Sequence, residues 1–220
     1  MNEMQRAPGA LFVVFEGGDG AGKSTQAALL ARRLQDAGRE VLRTREPGGT
    51  VIGEELRSLV LDHGRGQVDA RTEALMFAAA RAAHVEQLIL PALARGTTII
   101  CDRFIDSSVA YQGVGRGLGT EEVLRLNRWA TDGLRPDLTI LLDVDPLSGR
   151  LRRTQGHGAE DRLESEPDDF HARIRQAFLD RARNDDGTYL VLDASLEVED
   201  LEARIASAVE TAIQAAGASS

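Results

Sequence analysis

An α/β fold, a parallel sheet flanked by helices, is what this sequence predicts, and three observations carry the expectation. Short β-branched runs alternate with longer stretches of helical periodicity, the pattern of strand-helix-strand units. Those runs are apolar nearly throughout, as in strands covered on both faces. Glycines gather in the loops between them. In order, strands are expected at 11–15 (LFVVF), 40–44 (EVLRT), 97–101 (TTIIC), 138–142 (LTILL) and 188–192 (TYLVL). Helices are expected at 22–37, 51–62, 70–94, 120–131, 168–184 and 197–214, with Gly38 and Gly96 placed as C-terminal stops. No repeat or long linker divides 1–220, so one domain is expected, with loose ends near 1–9 and 215–220. Between Asp143 and Glu164 the pattern weakens into the polar, arginine-rich LSGRLRRTQGHGAEDRLE, read as a mobile flap.

The 220 residues, 42% of them hydrophobic, suffice for a core of ordinary size. With 26 Lys+Arg against 35 Asp+Glu, the net charge of −9 argues against a nucleic-acid or membrane partner. Cys101 is the only cysteine and cannot form an internal bridge, and the opening MNEMQRAPGA lacks the apolar core of a secretion signal. A cytoplasmic location is expected. The apolar runs fall far short of the ~20 residues a membrane helix needs. Among the 26 basic residues only Lys23 is a lysine, so whatever favours arginine elsewhere stops there. A compact ammonium suits a narrow phosphate cradle in which a planar guanidinium would not fit.

Lys23 lies within Gly17-Gly18-Asp19-Gly20-Ala21-Gly22-Lys23-Ser24-Thr25, between the first expected strand and a helical segment. This is the phosphate-loop pattern G-x-x-x-x-G-K-[ST] in its strand-to-helix setting. Glycines let backbone N–H groups converge on phosphate oxygens, the helix N-terminus adds partial positive charge, and Ser24 would hold Mg²⁺. Asp102-Arg103 ends the third strand, where open α/β sheets place their ligands. The pair reads either as a plain ion pair or as a carboxylate for a metal-bound water beside a phosphate-binding arginine. Arg57 follows the turn REPGGT on a helix and reads as solvated or phosphate-binding. Phe77 and Arg81, spaced i, i+4, share a helix face and are either core or a base-stacking pair.

Taken together, FEGGDGAGKST, TREPGGT, LMFAAAR, CDRFIDSSVAYQGVGRG, RPDLTILLDV and DRLE, in this order over about residues 11–192, closely resemble the thymidylate kinase family of nucleoside-monophosphate kinases. The resemblance implies a five-stranded parallel sheet of the P-loop kinase fold, a short arginine-rich lid near 150–163, and a homodimer. It implies transfer of a phosphoryl group from ATP to dTMP with Mg²⁺; a kinase for another monophosphate or deoxynucleoside, or a nucleotide-dependent switch, are the rivals. It also implies that Gly17 to Thr25 bind ATP, and that Asp19 contacts the acceptor sugar. Arg57 and Arg103 clamp the dTMP phosphate, Phe77 and Arg81 hold thymine, and Ser108, Tyr111 and Gln112 stand beside thymine and deoxyribose. Asp102 and Glu164 join Ser24 on the magnesium side. Glu46-Pro47 is implied to be cis. Some relatives carry an arginine in the loop where this chain has Gly20, and others use lid arginines; this chain resembles the second kind, with Arg150, Arg152, Arg153 and Arg162 available. Arg153 is the leading candidate for contacting the donor phosphates and Arg152 the second, and Lys23, Asp19, Arg103 and Arg153 form the expected catalytic set.

Overall fold

In a computed structural model, which describes residues 6–155, 160–185 and 187–218, five parallel strands form one sheet. They are β1 (Phe12–Glu16), β2 (Val41–Arg45), β3 (Thr98–Asp102), β4 (Leu138–Asp143) and β5 (Tyr189–Asp193), in the order β2-β3-β1-β4-β5. Every strand runs one residue further than its apolar stretch, because ladder hydrogen bonds and not hydrophobicity end a strand. The extra residues are Glu16, Arg45, Asp102, Asp143 and Asp193, so the carboxyl rim of the sheet is lined with charge.

Central β1 is buried along its whole length and alternates its side chains between two cores. Leu11, Val13 and Phe15 face α1 (Lys23–Asp36) and α9 (Val198–Ala218), where Leu30, Ile205 and Val209 meet them. Phe12 and Val14 face the other side with Ile89, Leu93 and Phe104. Each such side chain contributes about 1.5–3 kcal/mol by leaving water. That second side is covered by α2 (Val51–Leu61), α3 (Ala70–His84), α6 (Thr120–Ala130) and α8 (Asp168–Arg183). The expected helix at 70–94 is continuous but not uniform: α3 passes through a π segment, Val85–Ile89, into α4 (Leu90–Ala94). Pro91, lacking an N–H, sits in the first turn of α4.

Two helical stretches were not expected. After β3, α5 (Ile105–Ser108) continues as a π segment, Val109–Gly115. The flap expected after Asp143 begins as helix α7 (Pro146–Gln155), whose first N–H groups, on Leu147 and Ser148, are accepted by Asp145 Oδ1 at 3.1 and 3.3 Å. The remaining lid residues 156–159 lie outside the described residues, as do 1–5 and 219–220. Residues 6–9 differ from the expected loose end: Arg6 pairs with Asp137 at 2.6 Å and Ala7 N–H donates to Leu93 O at 3.1 Å. Helix α9 likewise runs past 214 to Ala218. Glu46-Pro47 is cis, as the resemblance implied. Among the described residues no helix is long and apolar enough to cross a membrane.

Gly17 joins β1 to the phosphate loop with φ 131°, and a Cβ there would lie 2.3 Å from Leu142 O. Gly17→Ala is therefore expected to lower folding stability by about 2 kcal/mol or more, through both the backbone conformation and the collision with β4. Chemical denaturation of the unliganded protein measures it.

Candidate active site

The phosphate loop, residues 17–24, leaves the carboxyl end of β1 between the ends of β3 and β4. Lys23 opens α1 with a buried ammonium that donates to Gly17 O at 3.1 Å and Gly18 O at 2.8 Å. Burial, followed by the neighbouring Arg103 charge, lowers its pKa. Next to it Ser24 Oγ donates to Asp102 Oδ2 at 2.7 Å. The hydroxyl and the carboxylate are hard oxygen donors, and with phosphate oxygens and water they fit a Mg²⁺ ion. Glu164 lines the same cleft, with Oε2 accepting Asp161 N–H at 3.0 Å. Among the described residues no three His, Cys, Asp or Glu side chains cluster as a metal site.

Asp19 is gripped by Arg103 at 2.5 Å and by the Tyr111 hydroxyl at 3.0 Å. Burial pushes its carboxyl up, but the charges of Arg103 and Lys23 overcome this and hold it below the usual carboxylate range. Burial, then the adjacent Asp19 charge, raises the Tyr111 phenol, which stays neutral and donating. Arg103 adopts φ 70°, in the left-handed region that costs a non-glycine residue on the order of 1 kcal/mol or more. Its guanidinium lies over the Tyr111 ring at 5.4 Å. Burial opposes its charge, but the Asp19 carboxylate, with Asp102 adding to it, more than compensates and keeps it protonated.

Arg57, on α2, donates to Pro47 O at 2.9 Å; burial, then Arg45, lowers its pKa, with Arg103 adding to the repulsion. Arg45 is held by Glu54 at 2.9 Å. Three guanidinium groups thus converge where an anion would relieve them.

Two compartments meet here. A narrow pocket of about 120 Å³ contains Phe77, Arg81, Ser108, Tyr111 and Gln112, the residues expected around a base and sugar. A broader cleft of about 740 Å³ contains the phosphate loop from Asp19 to Thr25 together with Asp102. Asp19, Glu46, Arg57, Arg103 and Glu164 belong to both.

Phe77 sits on the face of α3 turned to the narrow pocket, as its spacing from Arg81 implied. Arg81, however, is almost entirely engaged by the protein. Nε donates to Glu46 at 2.5 Å, Nη1 to Ser108 at 3.0 Å and to Asn127, and Nη2 to Phe104 O at 3.0 Å. One of its five N–H groups is left over. Gln112 donates its amide to Glu73 at 2.9 Å, which orients its carbonyl; that Oε1 is buried and has no partner among the described residues.

The lid arginines divide. Arg162 does not serve the cleft: it donates to Val60 O and to buried Glu73 at 2.8 and 2.6 Å. Arg150 pairs with Asp168 at 3.0 Å. Arg152 lines the cleft and donates to Ala194 O at 2.8 Å. The side chain of Arg153 lies outside the described residues. A cation at position 20 is excluded sterically, because a Cβ on Gly20 would lie 2.1 Å from Gly149 O. Sequence reasoning left out Arg45, Glu46 and Pro47, although the turn that carries them was noted. It also left out the wall formed by Ala194, Ser195, Leu196 and Val198 after β5, where no motif marks the segment.

A phosphate loop on a parallel sheet, opening through shared arginines onto a base-sized pocket, defines a P-loop kinase of small nucleotides. Comparison narrows the class. Residues 15–205 match the family model described as thymidylate kinase. The thymidylate kinase of Clavibacter michiganensis subsp. michiganensis is 51% identical over 209 residues, covering 95% of this chain and 98% of that protein. That of Leifsonia xyli subsp. xyli is 54% identical over 195 residues, covering 89% and 92%. The crystal structure of thymidylate kinase from Ehrlichia chaffeensis superposes with a TM-score of 0.74 at 33% identity, covering 92% of this chain and 99% of that one. This chain belongs to the thymidylate kinase family.

Lys23→Arg is expected to lose about a hundredfold or more in turnover, since the bulkier group would displace the phosphates it should align. Ligand-free thermal stability should change little, as Arg and Lys have similar helix propensity. Steady-state kinetics beside a melting curve checks both.

Proposed function

We propose that this protein transfers the γ-phosphoryl group of ATP to the phosphate of dTMP, giving ADP and dTDP for dTTP synthesis. The observation that carries this reading is the shared wall of Asp19, Arg57 and Arg103 between the phosphate-loop cleft and the base pocket. An acceptor phosphate in one compartment then faces a donor phosphate in the other. An oxygen of the acceptor attacks the γ-phosphorus, the bond to the β–γ bridging oxygen breaks, and the electron pair leaves with ADP. A phosphate dianion needs no strong base, so the protein's task is to overcome repulsion between two anions. Lys23 serves the donor side, Arg57 and Arg103 the acceptor side, and Arg152 or Arg153 the lid side. Ser24 and Asp102, with Glu164 nearby, would hold Mg²⁺, which supplies charge neutralisation on the donor phosphates.

Base choice follows from the pocket's unspent hydrogen-bonding groups. The Gln112 carbonyl can accept the ring N–H of thymine, the remaining Arg81 N–H can donate to a thymine carbonyl, and Phe77 offers a stacking face. A cytosine ring nitrogen, an acceptor, would face the Gln112 carbonyl unfavourably. Tyr111, fixed by Asp19, stands beside the sugar. We also infer a single kinase domain and a homodimer, supported by exposed Val51, Ile52, Leu59, Leu75 and Trp129 on the adjoining helices α2, α3 and α6. A cytoplasmic location follows from substrates too highly charged to cross membranes unaided.

A coupled ADP-release assay over a panel of monophosphates tests the reading. Turnover should be highest with dTMP, weaker with dUMP and at background with dCMP, dAMP and dGMP; equal rates with dCMP, or ATP hydrolysis indifferent to acceptor, would overturn it. Arg152→Ala should reduce turnover by about tenfold or more if it carries the lid charge, the scale of one lost charge-assisted hydrogen bond. An unchanged rate assigns that charge to Arg153.

A further inference from the structure

Glu16 is the last residue of β1 and wholly buried, one position before the phosphate loop, yet it belongs to neither compartment of the site. The other fully or nearly buried carboxylates have cationic partners: Glu46 holds Arg81, and Glu73 holds Arg116 and Arg162. Glu16 instead receives neutral donors. Oε1 accepts Phe104 N–H at 2.8 Å and Ser107 N–H at 3.1 Å, and Oε2 accepts the Ser107 hydroxyl at 2.6 Å. Burial, then the nearby Asp106 charge, pushes its carboxyl up to about 7. The Arg103 charge offsets this only in part, and a buried carboxylate with no cation in direct contact opposes folding. The fold alone would be served as well by an amide.

What the carboxylate holds is Arg103. The Ser107 hydroxyl spends its single proton on Glu16, so its lone pairs are turned to Arg103 Nη1, which donates at 3.0 Å. The Phe104 N–H held by Oε1 belongs to the peptide that directly follows the left-handed Arg103. The flanking residues complete the grip: Phe15 O accepts Arg103 N–H at 2.8 Å, and Gly17 O accepts Nη1–H at 3.1 Å. Three consecutive residues, the last two of the central strand and the first of the phosphate loop, therefore fix both the backbone and the guanidinium of one arginine.

We propose that Glu16 is a positioning residue of the kinase: it pins the turn after β3 and, through the Ser107 hydroxyl, aims the Arg103 guanidinium at the acceptor phosphate. The proposal rests on the reading of Arg103 as an acceptor clamp. Glu16 itself touches no reacting atom. A carboxylate is retained here because its Oε2 accepts the Ser107 proton and so turns both lone pairs of the hydroxyl toward Arg103.

Glu16→Gln tests this with little change in size. The amide carbonyl can keep both backbone bonds, but its NH₂ can only donate to the Ser107 oxygen, where it competes with Arg103 for the lone pairs, and the serine proton loses its acceptor and must turn elsewhere. The melting temperature at pH 8 should match or exceed the parent's, because a buried charge has been removed. The KM for dTMP should rise roughly tenfold, the scale of one charge-assisted hydrogen bond, while the KM for ATP stays within about twofold. In a Ser107→Ala background the same change should add little, since both act on one path. A Glu16→Gln enzyme that melts lower but keeps its KM for dTMP would make Glu16 purely structural and overturn the proposal. Arg103→Lys separates the two levels. If it leaves the KM for dTMP unchanged, the clamp reading falls and takes the proposal with it; if it raises that KM while Glu16→Gln does not, only the proposal falls.

Discussion

Parallel pairing of β1 with β3, which sets Phe15 opposite Asp102, is the constraint on which the rest of the site depends. Because β1 also pairs with β4, the phosphate loop has to leave the sheet through a gap bounded by two other strand ends. That geometry brings Ser24 to Asp102 and Asp19 to Arg103 without any long loop reaching across. It also explains why Gly17 admits no side chain, since the β4 backbone already occupies the space. Neighbouring helices then need only wall the narrow pocket, and α2 and α3 do so with Arg57, Phe77 and Arg81.

Charge in this molecule is arranged locally against its overall sign. The chain carries nine more acidic than basic residues, yet the cleft concentrates Lys23, Arg45, Arg57, Arg103 and Arg152. Acidic partners do not cancel this potential so much as aim it: Asp19 steers Arg103, Glu46 steers Arg81 and Glu54 holds Arg45. A planar guanidinium fixed on one edge presents its other edge predictably, which a flexible ammonium cannot do. Lysine remains where a single narrow cradle needs a point charge.

The sheet, the phosphate loop and the grouping of Phe77 with Arg81 at one pocket were legible because each depends on a local pattern: an apolar run, a glycine spacing, or a pair one helical turn apart. What escaped depends on partners distant in sequence. FIDSSVAYQGVG is not among the expected helices, yet it forms one in which the N–H groups of Phe104 and Ser107 are taken by Glu16, some ninety positions earlier. Arg162 looked available for the lid because nothing in DRLE reveals that Glu73 is buried beneath it. The same holds for Arg81, whose i, i+4 spacing from Phe77 placed it correctly but could not show that four of its donors are committed to Glu46, Ser108, Asn127 and Phe104.

The contact between Gly20 and Gly149 joins the phosphate loop to the start of α7 at backbone distance: a Cβ on Gly149 would lie 2.4 Å from Asp19 O, and one on Gly20 would strike Gly149. Any displacement of α7 that keeps this contact must then hinge beyond Gly149. The contact also shapes which neighbours in sequence space the chain can reach. Placing an arginine in the loop requires the helix to retreat first, and retreat alone opens a void beside Val144. Each single step is disfavoured although the two together define a workable arrangement. A loop arginine and this close contact are therefore separated by an epistatic barrier, and a lineage that has closed the contact must draw any further cation from outside the loop.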